Sequence, residues 1–238
     1  MQRWIIVLAL LASHTAMATE LSPELLQRLG EWAKRTAPES AIASMKIRTV
    51  SEELDGNGRV QHTEEVVVRV LREGGSDLPR TEVISATRDG KDNREEVEKK
   101  QKKEKGKKSQ RGNLSAALPF SLEQQPKYTF TLLDPYPDDP GMLRVGFGPK
   151  GKKEPEVFVG EAKVDPALGA VVWLKQQPST MPMMVDNIDM SMHFGATSAQ
   201  GPLLSEMYLR GKAGLPLMKK RFRAKMQFSE FQIKPAAP

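Results

Sequence analysis

The chain has 238 residues, 39% of them hydrophobic and 28% charged, with a mean hydropathy of -0.48. This excludes a multi-span membrane protein, and with 18 Gly and 17 Pro it also excludes a collagen-like chain. The net charge is +6, but residues 91–112 hold ten basic and five acidic side chains and supply +5 of it, so the rest of the chain is near neutral.

The N-terminus reads as an export signal over residues 1–18: a basic Arg3, an apolar run from Trp4 to Ala12, and a small-x-small end at Ala16-Met17-Ala18. Nine apolar residues are about half of the roughly 20 a membrane-crossing helix needs, so the segment is expected to be removed rather than to anchor. The expected mature chain, residues 19–238, is a single exported domain, most naturally in a bacterial periplasm. With no cysteine there is no disulfide, thiolate metal site, thiol nucleophile or lipidated cysteine, so the core alone must hold the domain.

Ser22-Pro23-Glu24 is a helix start, combining a capping hydroxyl, proline at the first helical position and an acid at the positive end of the dipole. Leu25, Leu26, Leu29, Trp32 and Ala33 then share one face, and Pro38 stops the helix. From Ala43 the period becomes two. Strands are predicted over Ala43 to Leu54 and Arg59 to Arg72, joined by Asp55-Gly56-Asn57-Gly58, in which positive φ is cheap. A third strand is predicted over Thr81 to Thr87. Residues 89–112, dense in Lys and Glu, read as a solvated excursion, in loop or frayed-helix form.

Strand signals resume over Tyr128 to Leu133, Leu143 to Phe147, Glu156 to Asp165, Ala170 to Lys175, Ile188 to Phe194, Leu203 to Leu209 and Lys219 to Phe231. In the late strands Ile188, Met190, Met192 and Phe194 alternate with Asp189, Ser191 and His193. Phe222, Ala224, Met226 and Phe228 likewise alternate with Arg221, Arg223, Lys225 and Gln227. One apolar and one polar face per strand indicates an antiparallel sheet wetted on one side. The predicted fold is mainly β within an α+β class: a curved antiparallel sheet with an apolar concave face, forming a half-open barrel closed by the N-terminal helix and further covering segments.

The strand Val157 to Val164 ends in Asp165-Pro166-Ala167-Leu168-Gly169. The strand Ala170 to Leu174, the string Pro178-Ser179-Thr180-Met181-Pro182, the Met strand and a closing strand ending Phe228-Ser229-Glu230-Phe231 follow. This succession resembles the periplasmic outer-membrane lipoprotein-sorting carriers (LolA/LolB-like), over about residues 21 to 232. The resemblance implies an N-terminal helix, an eleven-stranded half-open barrel and an apolar cavity holding acyl chains beneath a helical lid. The Lys-rich excursion is an addition to that pattern, and no counterpart of the carrier's lid arginine is evident in the sequence.

Eight of the twelve methionines lie from Met181 onward, and flexible thioethers suit a surface that accommodates variable lipid chains, although they serve equally as core filler. The residues expected to line an acyl cavity are Trp32, Phe158, Met190, Met192, Phe194, Phe222 and Met226. Lys99, Lys100, Lys102, Lys103, Lys105, Lys107 and Lys108 form a candidate docking patch for an anionic surface, and also read simply as a solvated run. The excursion has no aromatic for base stacking, and export removes nucleic acid as a partner.

After signal removal only His62 and His193 remain, without carboxylates at metal-ligand or dyad spacing. Asp134, Asp138 and Asp139 match no calcium loop, and Asp165-Pro166 with Gly169 shapes a turn. No phosphate loop, nucleophile elbow or zinc-protease motif is found. The expectation is a monomeric, non-enzymatic carrier with no cofactor or metal, whose partners are a lipid or acylated lipoprotein and an inner- or outer-membrane protein. The alternative is an interaction or sensor domain with a filled half-barrel.

Overall fold

A computed structural model describes residues 20–37, 42–72, 79–104, 118–214 and 219–234. The signal segment therefore lies outside the described residues. Helix α1 (Pro23–Thr36) starts as its sequence dictates, with the Ser22 hydroxyl accepting from the Leu25 N–H at 3.3 Å, Pro23 in the first turn and Lys34 and Arg35 in the last. Its buried side is Leu29, Trp32 and Ala33, with Leu25 and Leu26 packed at the margin.

Eleven strands follow: β1 (Ile42–Leu54), β2 (Val60–Leu71), β3 (Arg80–Arg88), β4 (Lys91–Asp92), β5 (Tyr128–Leu132), β6 (Leu143–Pro149), β7 (Phe158–Asp165), β8 (Ala170–Pro178), β9 (Val185–Ala196), β10 (Leu203–Ala213) and β11 (Lys220–Ile233). A second helix, α2 (Arg94–Glu104), and a 3-10 turn (Gln125–Lys127) lie between β4 and β5.

All eleven strands form one curved antiparallel sheet in the order β4-β3-β2-β1-β11-β10-β9-β8-β7-β6-β5. It does not close, so the architecture is a half-open barrel. Pairing of β11 with β1 makes the two ends of the sheet grow in opposite directions, and the edges are β4 and β5. Residues 93–127 consequently link one edge to the other. This is the Lys-rich excursion and its continuation. Its described residues pack against the sheet at two points: Val97 of α2 is buried on Val83 and Ala86 of β3, and Phe120 is buried between Phe130 and Phe147.

Turn chemistry fixes the register. In the β1–β2 loop Asp55 Oδ1 accepts from the N–H of both Asn57 and Arg59 at 2.8 Å, and Gly58 takes φ +83. In the β7–β8 loop Asp165 Oδ1 accepts from Ala167 and Leu168, and Gly169 takes φ +61. Arg28 of α1 donates to the Ala167 carbonyl at 2.6 Å, which ties the helix to this turn.

The main core lies between α1, residues 118–120 and the inner face of β5 to β9. There Leu29, Phe120, Val145, Ala162, Val164, Leu174 and Met192 are buried completely or nearly so. Two smaller clusters, Ile42-Met45-Val70 and Val83-Ala86-Val97, lie on the N-terminal strands.

Candidate functional site

Cross-strand registry assigns the faces without ambiguity. Met192 is opposite Leu174 and Met207, Met207 is opposite Met226, and Met226 is opposite Thr49, so all of these share the face that packs on α1. This inner face continues from β9 across β10 and β11 to β1 and β2, through Met190, Leu209, Phe222, Ala224, Met226, Ile47, Val66 and Val68, each only half-buried.

The residues expected to line a cavity divide between the two regions. Trp32, Met192 and Phe194 belong to the closed core: Trp32 stands edge-on to Phe194, with centroids 5.1 Å apart, and its indole N–H donates to the Pro202 carbonyl at 3.1 Å. Phe158 and Met190 lie at the margin of that core, and the Gln176 amide donates to the Met190 sulfur at 3.7 Å. Phe222 and Met226 sit farther round, on β11, beyond the strand on which α1 rests.

Two glycines on the inner face show how tightly the sheet is bent. A Cβ at Gly160 would lie 2.0 Å from the Lys175 carbonyl oxygen, and one at Gly211 would lie 2.7 Å from both the Asn187 carbonyl and the Phe222 ring. Gly211 thus provides the space that Phe222 occupies. The strand signal for β10 in the sequence runs from Leu203 to Leu209 and ends short of this glycine, while Met207 and Leu209, two residues apart, continue the apolar face.

The inner face becomes polar toward the β1–β2 turn. Glu53 pairs with Lys220 at 2.6 Å, and this bond holds its carboxyl below the usual range. His62 Nδ1 lies 2.9 Å from Asp89 Oδ2, while the Thr63 N–H donates to Asp89 Oδ1 at 2.8 Å. The Asp89 carboxyl is held below its ordinary value, first by that backbone N–H and then by His62. His62 therefore has a carboxylate neighbour that spacing along the chain did not reveal.

His193 lies on the other face of the sheet, edge-on to Trp173 and Tyr208. Asp139 pairs with Lys163 at 2.5 Å, in the role of a turn acid. Among the described residues no group of three or more His, Asp or Glu has the placement to hold a metal ion.

Of the candidate docking lysines, Lys99, Lys100, Lys102 and Lys103 are exposed on α2, with Lys100 paired to Glu96 at 3.3 Å. Lys105, Lys107 and Lys108 lie outside the described residues. Among the described residues no helix is long and apolar enough to cross a membrane.

No family model matches the chain, and no curated protein matches it. Among solved structures it is similar to a DUF1329 family protein from Desulfovibrio piger, at 10% identity, 92% coverage of this chain, 96% of that chain and a TM-score of 0.39. It is also similar to MucB of Pseudomonas aeruginosa in its complex with MucA, at 11% identity, 90% and 99% coverage and a TM-score of 0.25. A second structure, of MucB with MucA(peri), gives 11% identity, the same coverage and 0.24. Likenesses this remote assign neither a family nor an activity.

Proposed function

We propose that the mature chain is a periplasmic, non-enzymatic carrier of the lipoprotein-sorting type, holding acyl chains of a lipid or lipoprotein against the inner face of its half-barrel. The observation that carries this reading is the apolar inner face running on past α1, across β10 and β11 to β1 and β2, with Leu209, Phe222, Ala224 and Met226 half-buried rather than sealed. Acyl chains laid there gain about 0.8 kcal/mol for each methylene removed from water. Methionine and phenylalanine on a curved surface adapt to chains of different length. The binding region is thus β9 to β2. Trp32, Met192 and Phe194 form the fixed wall at one end, and Phe222 and Met226 form the contact surface.

The test places a charge on that surface. Phe222→Asp combined with Met226→Asp is expected to abolish uptake of a fluorescent fatty acid or acylated peptide while the circular dichroism spectrum stays unchanged. Uptake equal to wild type in the folded double variant would remove the assignment.

A second reading rests on a different observation, the exposed lysines of α2 at the sheet edge. In it the basic helix docks an acidic partner protein or surface and the half-barrel is only a scaffold. Deleting residues 99–108 separates the two, since a carrier keeps its acyl chains and a docking module loses its partner.

A further inference from the structure

The face of the sheet that points away from the core carries a cleft of about 570 Å3 crossing β8, β9, β10, β11 and β1, most of whose lining residues point outward by registry and whose lining also includes Met190, Leu209 and Ala224 of the inner-face rows. One row across it runs Lys175, Ser191, Tyr208, Lys225 and Val50, and the next runs Asp189, Arg210, Arg223 and Glu52. Ser191 is the smallest side chain of its row, between Lys175 and Tyr208, and Trp173 adds an aromatic wall.

Arg210 and Arg223 are direct cross-strand partners. Like charges in that arrangement repel, and the strain is relieved only from outside: Arg210 Nε donates to Asp189 at 3.0 Å, and Arg223 Nε donates to Glu52. Both bonds use Nε. No hydrogen bond among the described residues engages the terminal nitrogens of either guanidinium, and the two side chains are 70% and 56% exposed. Lys225 stands 5.1 Å above the Tyr208 ring and pairs with Glu206, while Lys175 has no ion pair among the described residues. The lining thus holds four cations against two acids.

We propose that this outer cleft is a second binding site, for a small soluble organophosphate. The adjacent guanidinium groups of Arg210 and Arg223 take the phosphate, and the organic body lies between Trp173 and Tyr208. Two planar forks side by side, with lysines at the margin, suit the several oxygens of a phosphate. The volume lies within the range of small-molecule sites, roughly 300–1,000 Å3. Asp189 and Glu52 bracket the arginines and would oppose a flat anionic bilayer, which favours a small ligand that enters between them.

The test titrates the full-length protein with glucose 6-phosphate, following heat and tryptophan fluorescence, with glucose, inorganic phosphate and phosphatidylglycerol vesicles as comparisons. Saturable binding of glucose 6-phosphate is expected, at least tenfold tighter than inorganic phosphate and absent for glucose. Arg210→Gln and Arg223→Gln should each weaken it tenfold or more. Ser191→Phe, which fills the cleft without changing its charge, should abolish it. Both arginines are exposed, so unchanged melting is expected and confirms that the variants fold. Phe222→Asp with Met226→Asp should leave this binding intact, which separates it from the inner face.

The proposal is overturned if no phosphate compound saturates, if inorganic phosphate binds as tightly as the organophosphate, or if the arginine variants bind like wild type. It is equally overturned if vesicles bind through these arginines while glucose 6-phosphate does not, which would make the face a membrane contact.

Discussion

Gly160 and Gly211 occupy inner-face positions where an added methyl meets backbone carbonyl oxygens, groups that cannot rotate away. Gly160→Ala and Gly211→Ala are each expected to cost on the order of 1–3 kcal/mol. Gly56→Ala, where nothing lies within 4 Å, should melt close to wild type. Thermal unfolding of the three variants checks this; equal melting temperatures would mean that the sheet is not bent as tightly as described. Glu206 tests the outer face by pH. It accepts from the Tyr208 hydroxyl, Lys225 and Gln227, and its carboxyl is lowered from 4.5 to about 2. A depressed carboxylate contributes stability that is present above its unfolded value and lost as pH falls through its folded one. Unfolding free energy should therefore decline between about pH 4.5 and 2, and Glu206→Gln should flatten that decline in denaturant titrations at pH 3 and 6. Which face each of these residues takes was legible from alternation alone: Met190, Met192 and Phe194 inward, Asp189, Ser191 and His193 outward. What covers a face was not. Nothing local distinguishes Met192, sealed at 0% exposure, from Met190, at the margin of the same core, because the difference is made by packing partners far away in the chain.

At the level of elements, α1 and ten of the strands follow from amphipathic period and turn residues, because each has one face on the core and one in water. Strand β4 and helix α2 were absorbed into the predicted excursion. Asp89-Gly90, with φ of +50 and +76, is a tight hairpin turn, and the Asp-Gly pair was the available signal. Helix α2 gives no periodic signal, because Val97 is its only buried side chain among those described. Its traces in sequence are a cap, with Asp92 accepting from the Arg94 N–H, and charge order: Glu95 and Glu96 in the first turn, Lys102 and Lys103 in the last. One apolar contact implies a loosely held element. Val97→Asp is expected to erase hydrogen-exchange protection over residues 94–104 while β1 and β11 keep theirs. Protection unchanged in α2 would show that its own ion pairs, Arg94–Glu98 and Lys100–Glu96, suffice to hold it.

Across the whole molecule the topology links a closed half and an open half. Return of β11 to β1 leaves β4 and β5 as edges, and α1 with residues 118–127 seals the β5–β9 side. The other side, β10 to β2, keeps its apolar inner face partly in water. That asymmetry lies at the centre of the proposed acyl-binding function, and it arises from strand order, which no local pattern along the chain encodes. The outer polar face, with its paired arginines, is set by the same registry but turned away, so the two surfaces are expected to be independent. The most direct test of the acyl-binding proposal is native mass spectrometry of the protein, purified gently from the cells that make it, with organic extraction of what it carries. A stoichiometric lipid or acyl species is predicted, present on the wild type and missing from the folded Phe222→Asp, Met226→Asp variant. A bare protein mass that takes up neither phospholipid nor acylated peptide when these are offered would contradict the account and leave the half-barrel a scaffold.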